Sequence, residues 1–391
     1  MTEPMSIEAL TAVDGLLSDE EKMVRATVRR FVKERYLPRA ADLFAKEAFA
    51  SDLIPEMAEL GLLGASLTGY GCAGMTPAAY GLALEELEFG DSGLRSFASV
   101  QGSLAMYPIW KFGTEAQKQK FLPGMAKGEL IGCFGLTEPD AGSDPASMKT
   151  RAKKDGKDWI LNGTKMWITS SPVASVAVVW AKTGEDAKSV RGFIVERGMK
   201  GFETPTVHGK MSLRASPTGE IVLADVRVPE ENVLTVEGMR GPLSCLTQAR
   251  FGISFGALGA ARACLECVVD YSRTRIAFGR PIGEKQLVQK KIVDMAVEIA
   301  KGKIMSVHFA KLKEATGELH PAQVSLCKKN NVSIALEAAR VARSLLGGNG
   351  ILLEYPVIRH MLNLESVFTY EGTDEVHTLV LGQALTGLSA F

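Results

Sequence analysis

The strongest constraint on this chain is a change of hydrophobic period in its middle. From Ser18 to about Ala45, and again from Leu53 to Leu63, apolar residues recur at helical spacing, and Leu94 to Trp110 continues in that style. Between Gly135 and about Asn232 the texture becomes short β-type runs: Trp159-Ile-Leu161, Met166 to Thr169, Val176 to Trp180, Gly192 to Val195 and Glu220 to Asp225, parted by turn residues. From Leu243 long helices return. Val288, Ile292, Met295 and Ile299 form one apolar stripe, and a helix from Ser325 to Leu346 stops at Gly347-Gly348. A sheet inserted between two helical blocks implies an α+β multidomain fold. It comprises an N-terminal α-helical domain over 1–134, a middle β domain over 135–240 and a C-terminal four-helix bundle over 241–391.

Three local patterns invite stronger readings. Asn162-Gly163 between two apolar runs predicts a hairpin turn. Gly69-Tyr-Gly71-Cys-Ala-Gly74, with Asp91 about twenty residues on, imitates a dinucleotide-binding fingerprint. The segment after Asp91 is helical, so no βαβ unit surrounds it, and a loop is the better reading. Cys264-Leu-Glu-Cys267 lies inside one helical run with no second pair at zinc spacing, which points to packing.

Composition narrows the class. Lys+Arg and Asp+Glu both number 45, so no bulk charge invites nucleic acid or an anionic membrane. No uninterrupted apolar run reaches the ~18 residues of a membrane span. The N-terminal residues, with Glu3, Glu8 and Asp14, resemble no export or organelle signal, and a cytoplasmic enzyme is expected, or a mitochondrial matrix enzyme if the source is eukaryotic. Six cysteines in a chain this long give no disulfide framework.

Two stretches carry chemistry. Phe134 to Asp144 crowds turn formers with the hydroxyls of Thr137 and Ser143, a loop suited to a planar heterocycle or an anion, and Trp167-Ile168-Thr169 adds a flat aromatic wall beside a hydroxyl. Near the C-terminus, Tyr370-Glu371-Gly372-Thr373 sets a carboxylate just before a helix start, with Thr373 as cap and Asp374 and Glu375 in the first turn. By itself Glu371 reads as a solvated acid.

Taken together, Thr137-Glu-Pro-Asp-Ala-Gly-Ser-Asp144, Asn162 to Thr169, Arg275-Ile-Ala-Phe-Gly279 with Gln286, Leu346-Gly-Gly-Asn-Gly350 and Tyr370-Glu-Gly-Thr373 resemble the acyl-CoA dehydrogenase family, in that family's order. Asp91 to Ser96, Ser99-Val-Gln101, Cys133 to Pro139, Leu213 to Ser216 and Pro229 to Leu234 are similar to its glutaryl-CoA-oxidising branch. The resemblance implies FAD as cofactor. Phe134, Leu136, Thr137, Gly142, Ser143, Trp167, Ile168 and Thr169 would line the flavin. Arg275, Phe278, Gln286, Ser344, Leu345, Leu346, Gly347, Gly348, Thr373, Asp374 and Glu375 would contact the rest, some from a neighbouring subunit. The CoA thioester would pass Ser143, Leu246, Arg250, Gly372 and Phe391.

By the same resemblance Glu371 is the base that removes an α-proton, and its backbone N–H helps polarise the thioester carbonyl. Arg95, with Ser96 and Ser99 on its helix and Glu88 holding it, would receive a distal carboxylate, and Tyr370 matches decarboxylating members. The implied reaction is oxidation of glutaryl-CoA with loss of CO2 to crotonyl-CoA. Another dicarboxylyl-CoA of benzylsuccinyl or pimeloyl type, a non-decarboxylating enzyme, and a non-catalytic acyl-CoA-binding member stay open. Electron transfer flavoprotein as acceptor and a homotetramer are implied. Leu94 and Gly102 depart from the family's usual Tyr and Ser and are expected to border the acyl pocket.

Overall fold

A computed structural model describes residues 3–390. The first block holds α1 (Ile7–Thr11), α2 (Asp19–Phe31), α3 (Ala40–Ala45), α4 (Ile54–Glu59), α5 (Pro77–Gly90), α6 (Ser92–Ser99), α7 (Tyr107–Phe112) and α8 (Glu115–Ala126). Ser18 and Glu21 close a reciprocal capping box on α2. A π-helical stretch, Val100–Met106, joins α6 to α7. The glycine-rich segment after Leu67 is a loop, and Asp91 is the N-cap of α6, accepting from the Gly93 N–H at 2.7 Å.

The middle block is one sheet built from β1 (Gly132–Gly135), β2 (Arg151–Asp155), β3 (Asp158–Thr169), β4 (Val176–Lys182), β5 (Val190–Glu196), β6 (Phe202–Glu203), β7 (Thr218–Val228) and β8 (Val233–Glu237). Its order is β6-β7-β3-β2-β4-β5-β8, with β1 parallel to β4.

Asn162-Gly163 is not the hairpin turn. It lies inside β3, where the pairing to β7 slips between Leu161 and Gly163. Asn162 bonds side chain to side chain with Asp225, at 3.0 Å, and also accepts the Asp225 N–H. Gly163 has φ 148°, and a Cβ there would meet Thr150 Oγ1 at 2.4 Å, so glycine serves a bulge and a close approach. The tight turn falls earlier, between β2 and β3, where Gly156 has φ 61°.

The last block contains α9 (Arg240–Thr274), a two-stranded ribbon of β9 (Ile276–Ala277) and β10 (Arg280–Pro281), α10 (Gln286–Thr316), α11 (Pro321–Leu345), α12 (Pro356–Thr369) and α13 (Asp374–Thr386). By length and composition α9 could cross a membrane, but 83% of its apolar window is buried inside the fold. It is the axle of the molecule. Cys245 and Ala249 pack with the sheet side, Phe251, Phe255 and Ala263 with the N-terminal helices, and Ile253, Ala257, Ala260, Ala261, Cys264, Leu265 and Val268 with the bundle.

Glycines let α5 and α9 close on each other. A Cβ on Gly252 would meet Leu84 at 2.4 Å, and one on Gly259 would meet the Glu85 carbonyl oxygen at 1.9 Å. Cys264 is buried and Cys267 half-buried within α9, and burial raises both thiols, as packing residues require.

Candidate active site

Two helix ends create the site. α6 starts at its Asp91 cap and carries Arg95, Ser96 and Ser99 inward; α12 ends at Thr369 and delivers Tyr370 and Glu371. The two are tied at the back. Asp91 Oδ2 accepts from Arg359 at 2.7 Å and from Asn363 at 3.1 Å, both on α12 and all buried.

Arg95 is 1% exposed. Its Nε donates to Glu88 Oε2 at 2.5 Å, and its Nη2 donates to the Tyr370 hydroxyl. The Arg95 guanidinium also lies 5.7 Å from the Tyr370 ring centroid. Burial lowers this arginine's affinity for its proton, but Glu88 and Tyr370 outweigh it and hold that affinity above the usual value. Room for the pair comes from α9: a Cβ on Gly256 would sit 2.1 Å from Glu88 Oε2 and 3.0 Å from Arg95 Nε. Ser96 Oγ reaches the Tyr370 hydroxyl at 3.4 Å, and Ser99 Oγ is buried without a partner.

Glu371 takes a left-handed backbone, φ 52°, which a non-glycine residue rarely adopts. Its Oε2 is buried with no hydrogen-bond partner. Burial pushes its pKa above the usual carboxylate value, and the cations Arg95, Arg250 and Lys328 reduce that rise without cancelling it. Arg250, half-buried on α9, donates from Nε to the Glu371 backbone carbonyl at 2.6 Å. Gly372 has φ 95°, and a Cβ there would come 2.9 Å from His377 Nε2 and 3.2 Å from Arg250 Nη2. Thr373 caps α13 by accepting from Val376 N–H at 3.2 Å, while Asp374 turns to Lys329 and Ser333.

The structure therefore brings together Glu88, Arg95, Ser96, Arg250, Tyr370, Glu371 and Gly372. Lys328 and His377 belong to the same cluster and were not singled out from the sequence. Lys328 sits on the buried face of α11 with Val324, Asn331 and Val332, so a lysine inside an apolar stripe was the available signal.

On the sheet side, Phe134 ends up buried in β1, Leu136 buried just beyond it, Thr137 half-buried, and Gly142 and Ser143 exposed. Thr137 accepts the Met166 N–H at 2.9 Å, which sets this loop beside Trp167, Ile168 and Thr169 at the end of β3. Beneath it, Lys165 and Glu138 form a buried pair at 2.8 Å. Leu246 is half-buried on α9 against this side of the core.

The remaining cofactor candidates lie elsewhere. Arg275 ends α9, Phe278 is 97% exposed beyond β9, and Gln286 begins α10. Ser344 and Leu345 close α11, and Leu346, Gly347 and Gly348 follow it. Among the described residues none of these bonds to the Glu371 cluster. Glu375 is exposed in the first turn of α13, and Phe391 lies outside the described residues. Leu94, expected to border the acyl pocket, packs in the N-terminal core, and Gly102, expected there too, backs onto Gly64, with 3.2 Å from a would-be Cβ to the Gly64 nitrogen.

Family models for the N-terminal, middle and C-terminal domains of acyl-CoA dehydrogenase match residues 18–129, 133–226 and 237–386. The chain belongs to the acyl-CoA dehydrogenase family. The short-chain specific acyl-CoA dehydrogenase of Rattus norvegicus mitochondria is 35% identical over 373 residues, 93% of this chain and 90% of that protein. Two crystal structures of glutaryl-CoA dehydrogenase from Mycobacterium smegmatis superpose on the chain. One is 55% identical with a TM-score of 0.97, covering 99% of this chain and 100% of that one. The other, in complex with FADH2, is 51% identical with the same TM-score and coverage. This acyl-CoA dehydrogenase thus has the three-domain helix–sheet–helix fold of its relatives.

Proposed function

We propose that this enzyme oxidises glutaryl-CoA and decarboxylates the product to crotonyl-CoA, with FAD as its cofactor. The observation that carries the reading is Arg95, a fully buried guanidinium that donates to the hydroxyl of Tyr370, the residue before Glu371. An apolar acyl chamber has no use for such a charge, whereas a distal carboxylate cannot enter one without it.

The residues present fit FAD. Trp167 is 58% exposed, held at φ 62° where β3 slips against β7, and so offers an uncovered aromatic plane beside the Thr137 loop. Phe134 to Ser143 and Trp167 to Thr169 would hold the flavin ring, and the start of α13 at Thr373 suits an anionic portion of the cofactor. FAD, when bound, supplies the acceptor for the hydride lost from the substrate β-carbon.

Everything else falls to the chain. Glu371 takes the α-proton on a carboxylate whose Oε2 has no partner and whose raised pKa makes it a stronger base than an exposed glutamate. Its backbone N–H polarises the thioester carbonyl, and Leu246, Ser143 and Gly372 border the CoA path. Arg95 holds the distal carboxylate, with Glu88 fixing the guanidinium and Ser99 adding a hydroxyl. In the second half, the bond from the γ-carbon to that carboxylate breaks, CO2 leaves, and its electron pair passes to a dienolate that takes one proton to give crotonyl-CoA. Electron transfer flavoprotein is the proposed acceptor and a homotetramer the proposed assembly.

Anaerobic addition of glutaryl-CoA to the flavin-loaded enzyme is expected to bleach the flavin and yield a product with the mass of crotonyl-CoA. A product with the mass of glutaconyl-CoA would remove the decarboxylation step. No bleaching with glutaryl-CoA, but bleaching with another CoA ester, would remove the substrate.

A further inference from the structure

Lys328 has no part in the mechanism above, yet it touches both neighbours of Glu371. Its Nζ donates to the Tyr370 carbonyl at 2.8 Å and to the Gly372 carbonyl at 2.6 Å, while Arg250 takes the Glu371 carbonyl between them. Three successive carbonyls are thus met by two cations from two helices, α11 and α9. The Tyr370 carbonyl belongs to the C-cap of α12, where helical carbonyls lack intrahelical partners and attract positive charge. Lys328 is 1% exposed, and no solvent-facing role accounts for its burial.

We propose that Lys328 is a positioning residue for the reaction: together with Arg250 it clamps the backbone on both sides of Glu371 and holds the left-handed turn that aims the carboxylate. The inference rests on the reading of Glu371 as the base. Among the described residues no other hydrogen bond from α11 reaches residues 370–372; Ser325 bonds His377, and Lys329 and Ser333 bond Asp374, which secures the start of α13 instead.

The clamp has an electrostatic side. Lys328 faces Glu371 on the loop, Arg250 on α9, Arg95 on α6 and Asp374 on α13, with His377 also on α13. Burial drives Lys328 down from the usual lysine range and Glu371 up from the usual carboxylate range, and the charge of each favours the charge of the other. Removing the lysine therefore disfavours ionised Glu371, beyond loosening the turn.

Lys328→Met, as the FAD-loaded enzyme, separates this from a packing role. Full flavin content and a KM for glutaryl-CoA within about threefold of wild type are expected, with kcat lower by about a hundredfold, the scale of a misplaced reacting group. The acid limb of the kcat/KM profile should move to higher pH. Lys328→Arg should recover at least about a tenth of wild-type kcat, with the limb restored. An unchanged kcat in Lys328→Met, or a fall with an unmoved acid limb, overturns the proposal. Should Lys328→Met lose its flavin, the arginine variant decides: loaded and active supports the clamp, whereas loaded but impaired about a hundredfold, or also unloaded, overturns it. Glu371→Gln in the same assay tells the two readings apart. Turnover by that variant sinks the base assignment itself, whereas an inactive Glu371→Gln beside a normal Lys328→Met sinks only the clamp.

Discussion

Replacing Arg95 by methionine tests the substrate reading directly. The guanidinium is 1% exposed and its Nε sits 2.5 Å from Glu88 Oε2, so the variant removes a desolvated, hydrogen-bonded charge. Truncating one member of a buried charge pair costs about 2–5 kcal/mol. At about 1.4 kcal/mol per factor of ten, kcat/KM for glutaryl-CoA should fall between about thirtyfold and about four-thousandfold. Pentanoyl-CoA has the same acyl length and no distal charge, and should change by less than about threefold.

A second effect must be separated from this one. Arg95→Met also strands Glu88, which is 0% exposed and whose Oε1 already lacks a partner. An uncompensated buried charge destabilises by about 3–5 kcal/mol, so a lower Tm is expected. Adding Glu88→Gln removes the stranded charge and should recover most of the Tm while leaving the glutaryl-CoA defect. The assay is steady-state turnover of both esters with an artificial electron acceptor at fixed ionic strength, beside thermal melts. Equal loss for both esters, or recovery of glutaryl-CoA turnover in the double variant, would refute the reasoning.

Other expectations follow from the same geometry. Glu371→Gln should keep flavin and bind glutaryl-CoA while turnover falls by at least about a hundredfold, read by flavin content and by bleaching rate. Because burial raises the Glu371 pKa, and the base works only when ionised, kcat/KM should drop as pH falls through that raised value, higher than for an exposed glutamate. A profile flat down to the ordinary carboxylate range would contradict this. Gly256→Ala would drive a methyl toward Glu88 Oε2, so it should lower Tm and impair glutaryl-CoA more than pentanoyl-CoA. Tyr370→Phe removes the hydroxyl bonded to Arg95 and should raise the share of glutaconyl-CoA in the product, measured by mass; an unchanged ratio would free Tyr370 from the decarboxylation step.

The helix–sheet–helix order was legible because it is written in a change of period that survives over many residues. The Asn162-Gly163 turn was misread because the same dipeptide that closes a hairpin also suits a bulge, and the choice depends on β7, which arrives some sixty residues later. The capping of α13 by Thr373 could be read locally, since its chemistry spans only four residues. The Arg95 site could not: Glu88 is seven residues away, but Tyr370 and the glycine that makes room, Gly256, come from distant helices. Lys328 was hidden by its charge, because a lysine within a helix is ordinarily taken for a solvated position.

The tie from Asp91 to Arg359 and Asn363 has a consequence for chain-length discrimination. It rivets the first turn of the helix bearing Arg95 to the helix that ends at Tyr370 and Glu371. In the proposed reaction the two groups are therefore the jaws of a calliper tied together behind them. A dicarboxylic ester one methylene shorter or longer cannot be accommodated there by sliding one jaw, because the other moves with it.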